Sequence, residues 1–162
     1  METNIPGKLI DIVSRKLKDF NDYKASKLLF FRLLTAHEMI ITSKWKDALN
    51  DVLTQAGTVA FADIPVGRTI RCSADTSGSM SISVTSSLKA VDIAAYLTAS
   101  IALSTPDTKA YATASITKTV PLSGNNLIDN AIRIKNADVG HGTAFETLLK
   151  GYAGEDVVIL VS

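Results

Sequence analysis

Near the end of the chain stand five consecutive apolar residues, Val157-Val158-Ile159-Leu160-Val161, four of them β-branched. Such a run is far short of a membrane span, and without polar alternation it reads as a central parallel strand that wants both faces covered. Helices packed on the two sides of a mainly parallel sheet provide that cover.

The preceding residues supply both partners. Thr69 to Ala74 reads as a short strand that runs straight into Asp75-Thr76-Ser77-Gly78-Ser79. Between Ser86 and Leu103, Leu88, Val91, Ala94, Ala95, Thr98, Ile101 and Ala102 recur at helical spacing, a small-residue stripe suited to close packing on a sheet. Ala110–Ala114 and Ile116–Val120 are strand-like and read equally as two strands or one with a kink. A helix from Asn126 to Lys135 and a short one from Ala144 to Leu149 complete the pattern. Strands and helices in turn predict a doubly wound, Rossmann-like α/β sheet, and such folds place ligands at the carboxyl ends of their strands. Of the strand order 3-2-1-4-5-6 common to such sheets, the residues up to Ser162 build only as far as the fourth strand. The sheet is thus expected to be incomplete, with Val157–Val161 as an exposed edge that a second chain would complete.

Up to Gln55 the pattern is helical. Leu9, Ile12, Val13, Leu17 and Phe20 form one stripe, and Leu28, Leu29, Phe31, Leu33, Leu34, Ala36, Met39 and Ile40 form a second, apolar enough to be sandwiched between neighbours. A third helix starts at the cap Thr42 or Ser43 and carries Trp45, Ala48, Leu49, Val52 and Leu53. Gly57 to Gly67, with Pro65 inside, reads as a connector. The expected division is a helical segment 1–56, a connector 57–68 and the α/β part 69–162.

Lys+Arg 17 against Asp+Glu 16 leaves a net charge of +1, so no whole-chain field announces nucleic acid or an anionic membrane. Arg15, Lys16, Lys18, Lys24 and Lys27 are interleaved with Asp11, Asp19 and Asp22, which favours a solvated helix face. The start of the chain lacks a basic segment followed by an apolar one, and no run approaches about 20 apolar residues; a cytoplasmic protein without membrane attachment is expected. The single Cys72 lies inside a strand, where a small buried residue is expected rather than a reactive thiol.

The Asp75 loop carries the chemistry. Asp75, Ser77 and Ser79 alternate, so a turning loop can aim one carboxylate and two hydroxyls at a common point. These hard oxygen donors suit Mg²⁺, or Mn²⁺ or Ca²⁺. One carboxylate does not cancel a double positive charge, so a bound ion would still attract an outside carboxylate or phosphate. The competing reading is a plain serine-rich loop, since Ser73, Ser81, Ser83, Ser86 and Ser87 surround it. Context favours a site: the pentad follows a strand, precedes an amphipathic helix, and the later Gly142-Thr143 loop offers a further hydroxyl. His141 is read as a loop residue near the site, because no nucleophile and acid complete a catalytic set. His37 is read as a packed or surface-facing residue. No phosphate loop of Walker type and no zinc-spaced Cys/His cluster is present.

Asp75-x-Ser77-x-Ser79, the Gly142-Thr143 loop and the apolar strand before Ser162 together resemble the von Willebrand factor type A domain with its metal-ion-dependent adhesion site. The resemblance covers 69–162 and implies that Asp75, Ser77, Ser79 and Thr143 hold Mg²⁺, with Gly78, Gly142 and His141 nearby. The family's last ligand, an aspartate just after the final strand here, has no counterpart up to Ser162. Upstream, Phe31-Arg32-Leu33-Leu34-Thr35-Ala36-His37-Glu38, the Trp45 helix and the connector look like the junction in Ro-type (TROVE) ribonucleoproteins, where a ring of helical repeats that binds small structured RNAs precedes a type A domain. The implied function is a cation-dependent binding module of a Ro-like ribonucleoprotein, recognising an acidic group on a protein partner, with a small non-coding RNA as a further partner. The alternative is a type A domain of a structural or assembly protein with no RNA role. A hydrolase using the ion would need a base near the metal, and only His141 offers one; a non-enzymatic role is expected.

Overall fold

A computed structural model describes residues 27–40, 43–64 and 67–162. The stripe from Leu9 to Phe20 and the basic stretch around Arg15 lie outside the described residues. Two helices, α1 (Lys27–Met39) and α2 (Ser43–Ala60), precede strand β1 (Ile70–Asp75). A 3₁₀ turn (Gly78–Ser81), helix α3 (Ala90–Ser104), β2 (Thr108–Thr113), β3 (Thr117–Thr119), α4 (Leu127–Lys135), α5 (Glu146–Lys150) and β4 (Val157–Val161) follow.

The four strands form one sheet in the order β3-β2-β1-β4. β1 runs parallel to both neighbours, with Cys72 level with Ala110 on one side and Ile159 on the other. The strand-like pieces after Thr108 are two separate strands. β3 folds back antiparallel to β2, because the intervening turn, closed by Ala114 N–H donating to the Ile116 carbonyl at 3.0 Å, is far too short for a parallel crossover.

Alternation along β1 gives the sheet two unlike faces. Ile70, Cys72 and Ala74 point to the face covered by α3, where Ile70 and Cys72 cluster with Ile101. The small residues Ala94, Ala95, Ala99 and Ala102 let that helix lie close on the strands. α4 packs beside α3; Asn126 caps it by accepting from Asp129 N–H at 3.0 Å, and Arg133 and Lys135 occupy the turn where cations are favoured. On the other face α5 covers Arg71, whose guanidinium donates to the Leu148 carbonyl at 3.2 Å and also to that of Gly151. Helices thus lie on both faces, the expected doubly wound arrangement.

The hydrophobic core runs without a break from Leu33 and Leu34 of α1 and Val52 and Leu53 of α2 through α3 and α4 to Ala74, Ala110 and Ala112 of the sheet. The leading helices therefore share one core with the α/β part.

Two expectations need correction, and β4 settles between two readings. α2 does not stop at Gly57 but continues to Ala60, so the connector is shorter than 57–68. Gly57 is in the helix because it lies against α3: a Cβ there would meet Ser100 Oγ at 2.7 Å. The helix expected from Ser86 starts at Ala90, since Thr85 Oγ1 accepts from Leu88 N–H at 3.0 Å and holds 85–88 in a turn, although Leu88 is still buried. β4 is not the covered central strand that its apolar run suggests but the exposed edge that an incomplete sheet implies. It is the sheet edge among the described residues, with Val157 39% exposed and the other four residues half-buried.

Candidate functional site

The Asp75 loop sits at the carboxyl end of β1, between β2 and β4. Ala74 is level with Ala112 and with Val161, so the last residue of β1 has Thr113 on one side and Ser162 on the other. Asp75 is 2% exposed, and both carboxylate oxygens are used: Oδ1 accepts from Ser77 N–H at 2.9 Å and Oδ2 accepts from the Ser162 hydroxyl at 2.9 Å. The first of these is a short-range side-chain-to-backbone bond that turns the chain sharply out of the strand. The turn carries Ser77, which is buried, and Ser79, which is exposed in the 3₁₀ turn, and their hydroxyls hydrogen-bond at 3.0 Å. Asp75, Ser77 and Ser79 are thus gathered as the alternation implies.

The second loop reaches this site through its backbone. Gly78, between the two serines, donates its N–H to the His141 carbonyl at 2.9 Å. That bond lays the Gly140–Thr143 segment against the Asp75 loop, with Gly142 and Thr143 exposed. His141 is exposed, and it is its carbonyl that is bonded to the Asp75 loop. The neighbouring Ala144 N–H donates to the Ala114 carbonyl at 2.8 Å, fixing the C-terminal end of the segment to β2.

Beneath the loops the same sheet face carries a chain of hydroxyls. Ser73 Oγ and Thr113 Oγ1 are 2.7 Å apart, Thr113 and Thr117 2.9 Å, and Thr117 and Thr147 2.7 Å. Thr147 in turn donates to the Ala144 carbonyl at 2.7 Å. This ladder ties β1, β2, β3 and α5 together and ends one residue from Thr143. Sequence reasoning missed it, and missed Ser162, because the bonds of Ser73 to Thr113, Thr117 to Thr147 and Ser162 to Asp75 join residues 30 or more positions apart.

Further along this face Arg71 and Glu155, 4% and 7% exposed, form an ion pair at 2.9 Å, and the guanidinium lies 4.5 Å from the centre of the Tyr111 ring. The Ala153 N–H, and then Arg71, hold the Glu155 carboxyl at about 2, well below the usual carboxylate range. This cluster anchors α5.

His37 is buried in α1, with Nδ1 3.5 Å from Glu38 Oε1. Burial lowers its pKa against the opposing pull of Glu38. It is a packed residue of the helical layer. Cys72 is wholly buried, and burial pushes its thiol up to about 12.

Among the described residues no group of three or more His, Cys, Asp or Glu side chains is placed to hold a metal. Any cation at the Asp75 loop would rely on one carboxylate and several hydroxyls, a donor set for a hard ion. No described helix is long and apolar enough to cross a membrane.

No protein-family model matches the chain, and neither does any curated protein. Among solved structures, the crystal structure of the Deinococcus radiodurans Ro (RSR) protein is similar, with 20% identity and a TM-score of 0.53. The likeness covers 86% of this chain but 31% of that one. At this identity the likeness concerns the fold alone, and in fold this chain, helices and sheet together, is Ro-like.

Proposed function

We propose that the chain is the cation-dependent binding end of a Ro-like ribonucleoprotein, with a metal-ion-dependent adhesion site of the von Willebrand type A kind. Asp75, Ser77, Ser79 and Thr143 would hold Mg²⁺ or a similar ion. The observation that carries this reading is the gathering of the Asp75 carboxylate and the Ser77 and Ser79 hydroxyls at the end of β1. The 3.0 Å between the two hydroxyl oxygens equals the spacing of adjacent corners in an octahedron with bonds of about 2.1 Å.

The bound ion would supply an open, positively charged position that accepts an acidic group of a protein partner. What the chain itself does is orient the donors. The Ser77 N–H and the Ser162 hydroxyl fix both oxygens of Asp75, and the Gly78 N–H holds the second loop through the His141 carbonyl. Among the described residues it is the His141 carbonyl, not its ring, that is bonded to the loop, which supports a reading of binding.

Titration calorimetry with Mg²⁺ and Mn²⁺ tests the site. Binding by the 162-residue chain that disappears in Asp75→Ala supports it; binding that persists in Asp75→Ala, or none in the unaltered chain, sinks it.

A second reading is a type A module of an assembly protein without RNA. It is favoured by the burial of Leu33, Leu34, Leu49, Val52 and Leu53 in the core shared with the sheet, which makes α1 and α2 buttresses of the fold. Gel-shift titration with a small structured RNA separates the two: a salt-sensitive shift supports the ribonucleoprotein reading, and none at low salt supports the assembly reading.

A further inference from the structure

Ser115 sits in the turn between β2 and β3, outside every motif that the sequence brings forward, yet one hydrogen bond and two closely approaching glycines converge on its hydroxyl. Its Oγ accepts the Gly142 N–H at 2.8 Å. A Cβ on Gly140 would come within 2.7 Å of that oxygen, and one on Gly142 within 2.9 Å. Gly140 also has φ +79, a backbone conformation that L side chains rarely adopt. Both glycines are therefore matched to the serine they enclose, and the loop closes over Ser115 as a hand closes over a peg.

The adjoining backbone bonds extend the connection. Ile116 N–H donates to the Val139 carbonyl at 3.2 Å and Ala144 N–H to the Ala114 carbonyl at 2.8 Å, so the turn grips the loop on either side of Gly142. Between these grips, the His141 carbonyl receives the Gly78 N–H at 2.9 Å. One route of hydrogen bonds therefore runs from Ser115 through Gly142 and His141 to Gly78, the residue separating the Ser77 and Ser79 hydroxyls.

We propose that Ser115 is a positioning residue that latches the Gly140–Thr143 loop onto the Asp75 loop and thereby sets the affinity of the site for its cation. The latch is a statement about the two loops and stands apart from the cation; its effect on affinity rests on the reading given under Proposed function. The Ser115 hydroxyl is hydrogen-bonded to the Gly142 backbone and to none of the proposed ligands, so it acts through its neighbour's backbone.

Amide hydrogen exchange in the cation-free 162-residue chain tests the latch directly, and calorimetry with Mn²⁺ tests its effect on the site. In Ser115→Ala the Gly142 and Gly78 amides are expected to exchange about five- to ten-fold faster, the loss of one hydrogen bond, while the β1 amides keep their protection. Gly142→Ala should loosen the loop further, since its Cβ meets the serine oxygen. Adding Ser115→Ala to Gly142→Ala removes that clash and should recover part of the protection, a reversal that simple destabilisation does not produce. Unchanged Gly78 exchange in Ser115→Ala overturns the latch. If the unaltered chain binds Mn²⁺, Ser115→Ala should weaken it by a similar factor, and equal affinity overturns the effect on the site. Failure of the unaltered chain to bind Mn²⁺ overturns the effect on affinity along with the adhesion-site reading, and leaves the latch to be judged by exchange alone.

Discussion

The Ser162 hydroxyl donates to Asp75 Oδ2 across 2.9 Å, joining the residue after the edge strand β4 to the first residue of the candidate cation loop. Asp75 is 2% exposed, so its oxygens depend on protein donors. Ser162→Ala leaves Oδ2 short of one, and a loss of about 1 kcal/mol is expected in urea unfolding of the cation-free chain. A variant as stable as the parent would show that water replaces the serine at no cost.

Gly57 marks the closest approach of α2 to α3. In Gly57→Ala the new methyl meets Ser100 Oγ at 2.7 Å and Leu127 Cδ2 at 3.1 Å. Alanine favours a helix over glycine by about 1 kcal/mol, but overpacking of a tight contact costs about 1 to 3 kcal/mol. Net destabilisation is expected, and it should shrink when Ser100 is also changed to Ala, which removes the closest atom. Stabilisation by Gly57→Ala alone would mean that the two helices separate easily.

The Arg71–Glu155 pair predicts a pH dependence. Glu155 has an ordinary value of 4.5 and is held at about 2 in the folded chain, first by the Ala153 N–H and then by Arg71. A carboxyl whose pKa is depressed by folding contributes stability that is whole above its unfolded value and is lost as pH falls through the folded one. Glu155→Gln should therefore be less stable than the parent at neutral pH. The gap should narrow as pH is lowered from about 5 towards 2, where the parent carboxyl becomes neutral too. Urea midpoints measured across that range check it, and a constant gap would exclude Glu155 as the titrating group.

Cys72 is fully buried, with its thiol pushed up to about 12 by burial. Because the thiolate is the reactive form, a chromogenic disulfide reagent should leave it untouched in the folded chain and modify it at the rate of unfolding in denaturant. Rapid labelling under native conditions would place β1 outside a stable core.

The strand leading into Asp75, the stripe that became α3 and the apolar strand at Val157–Val161 could all be read from the chain. Each is written in local spacing: a period of two, a period near 3.6, or an unbroken apolar run. The gathering of Asp75, Ser77 and Ser79 is local for the same reason, since alternate residues in a tight turn have little freedom to part. Gly57 misled because glycine reads as a helix breaker, whereas here it is the residue that lets two helices touch. The Ser86–Lys89 segment misled because Leu88 continues the helical stripe while the Thr85 side chain holds its backbone in a turn.

By itself, then, the sequence determined the α/β class and the alternation of Asp75, Ser77 and Ser79 in one loop. Tertiary structure alone decided what surrounds them. Ser162 meets Asp75 across 87 positions, Glu155 meets Arg71 across 84 and Ser115 meets Gly142 across 27. The first two pairings follow from the register of β4 on β1, with Val161 beside Ala74, and the third from the bonds of Ile116 N–H to Val139 and Ala144 N–H to Ala114 that hold the loop on the β2–β3 turn. Register is set by the joint packing of helices and strands, and no periodicity along one segment encodes it.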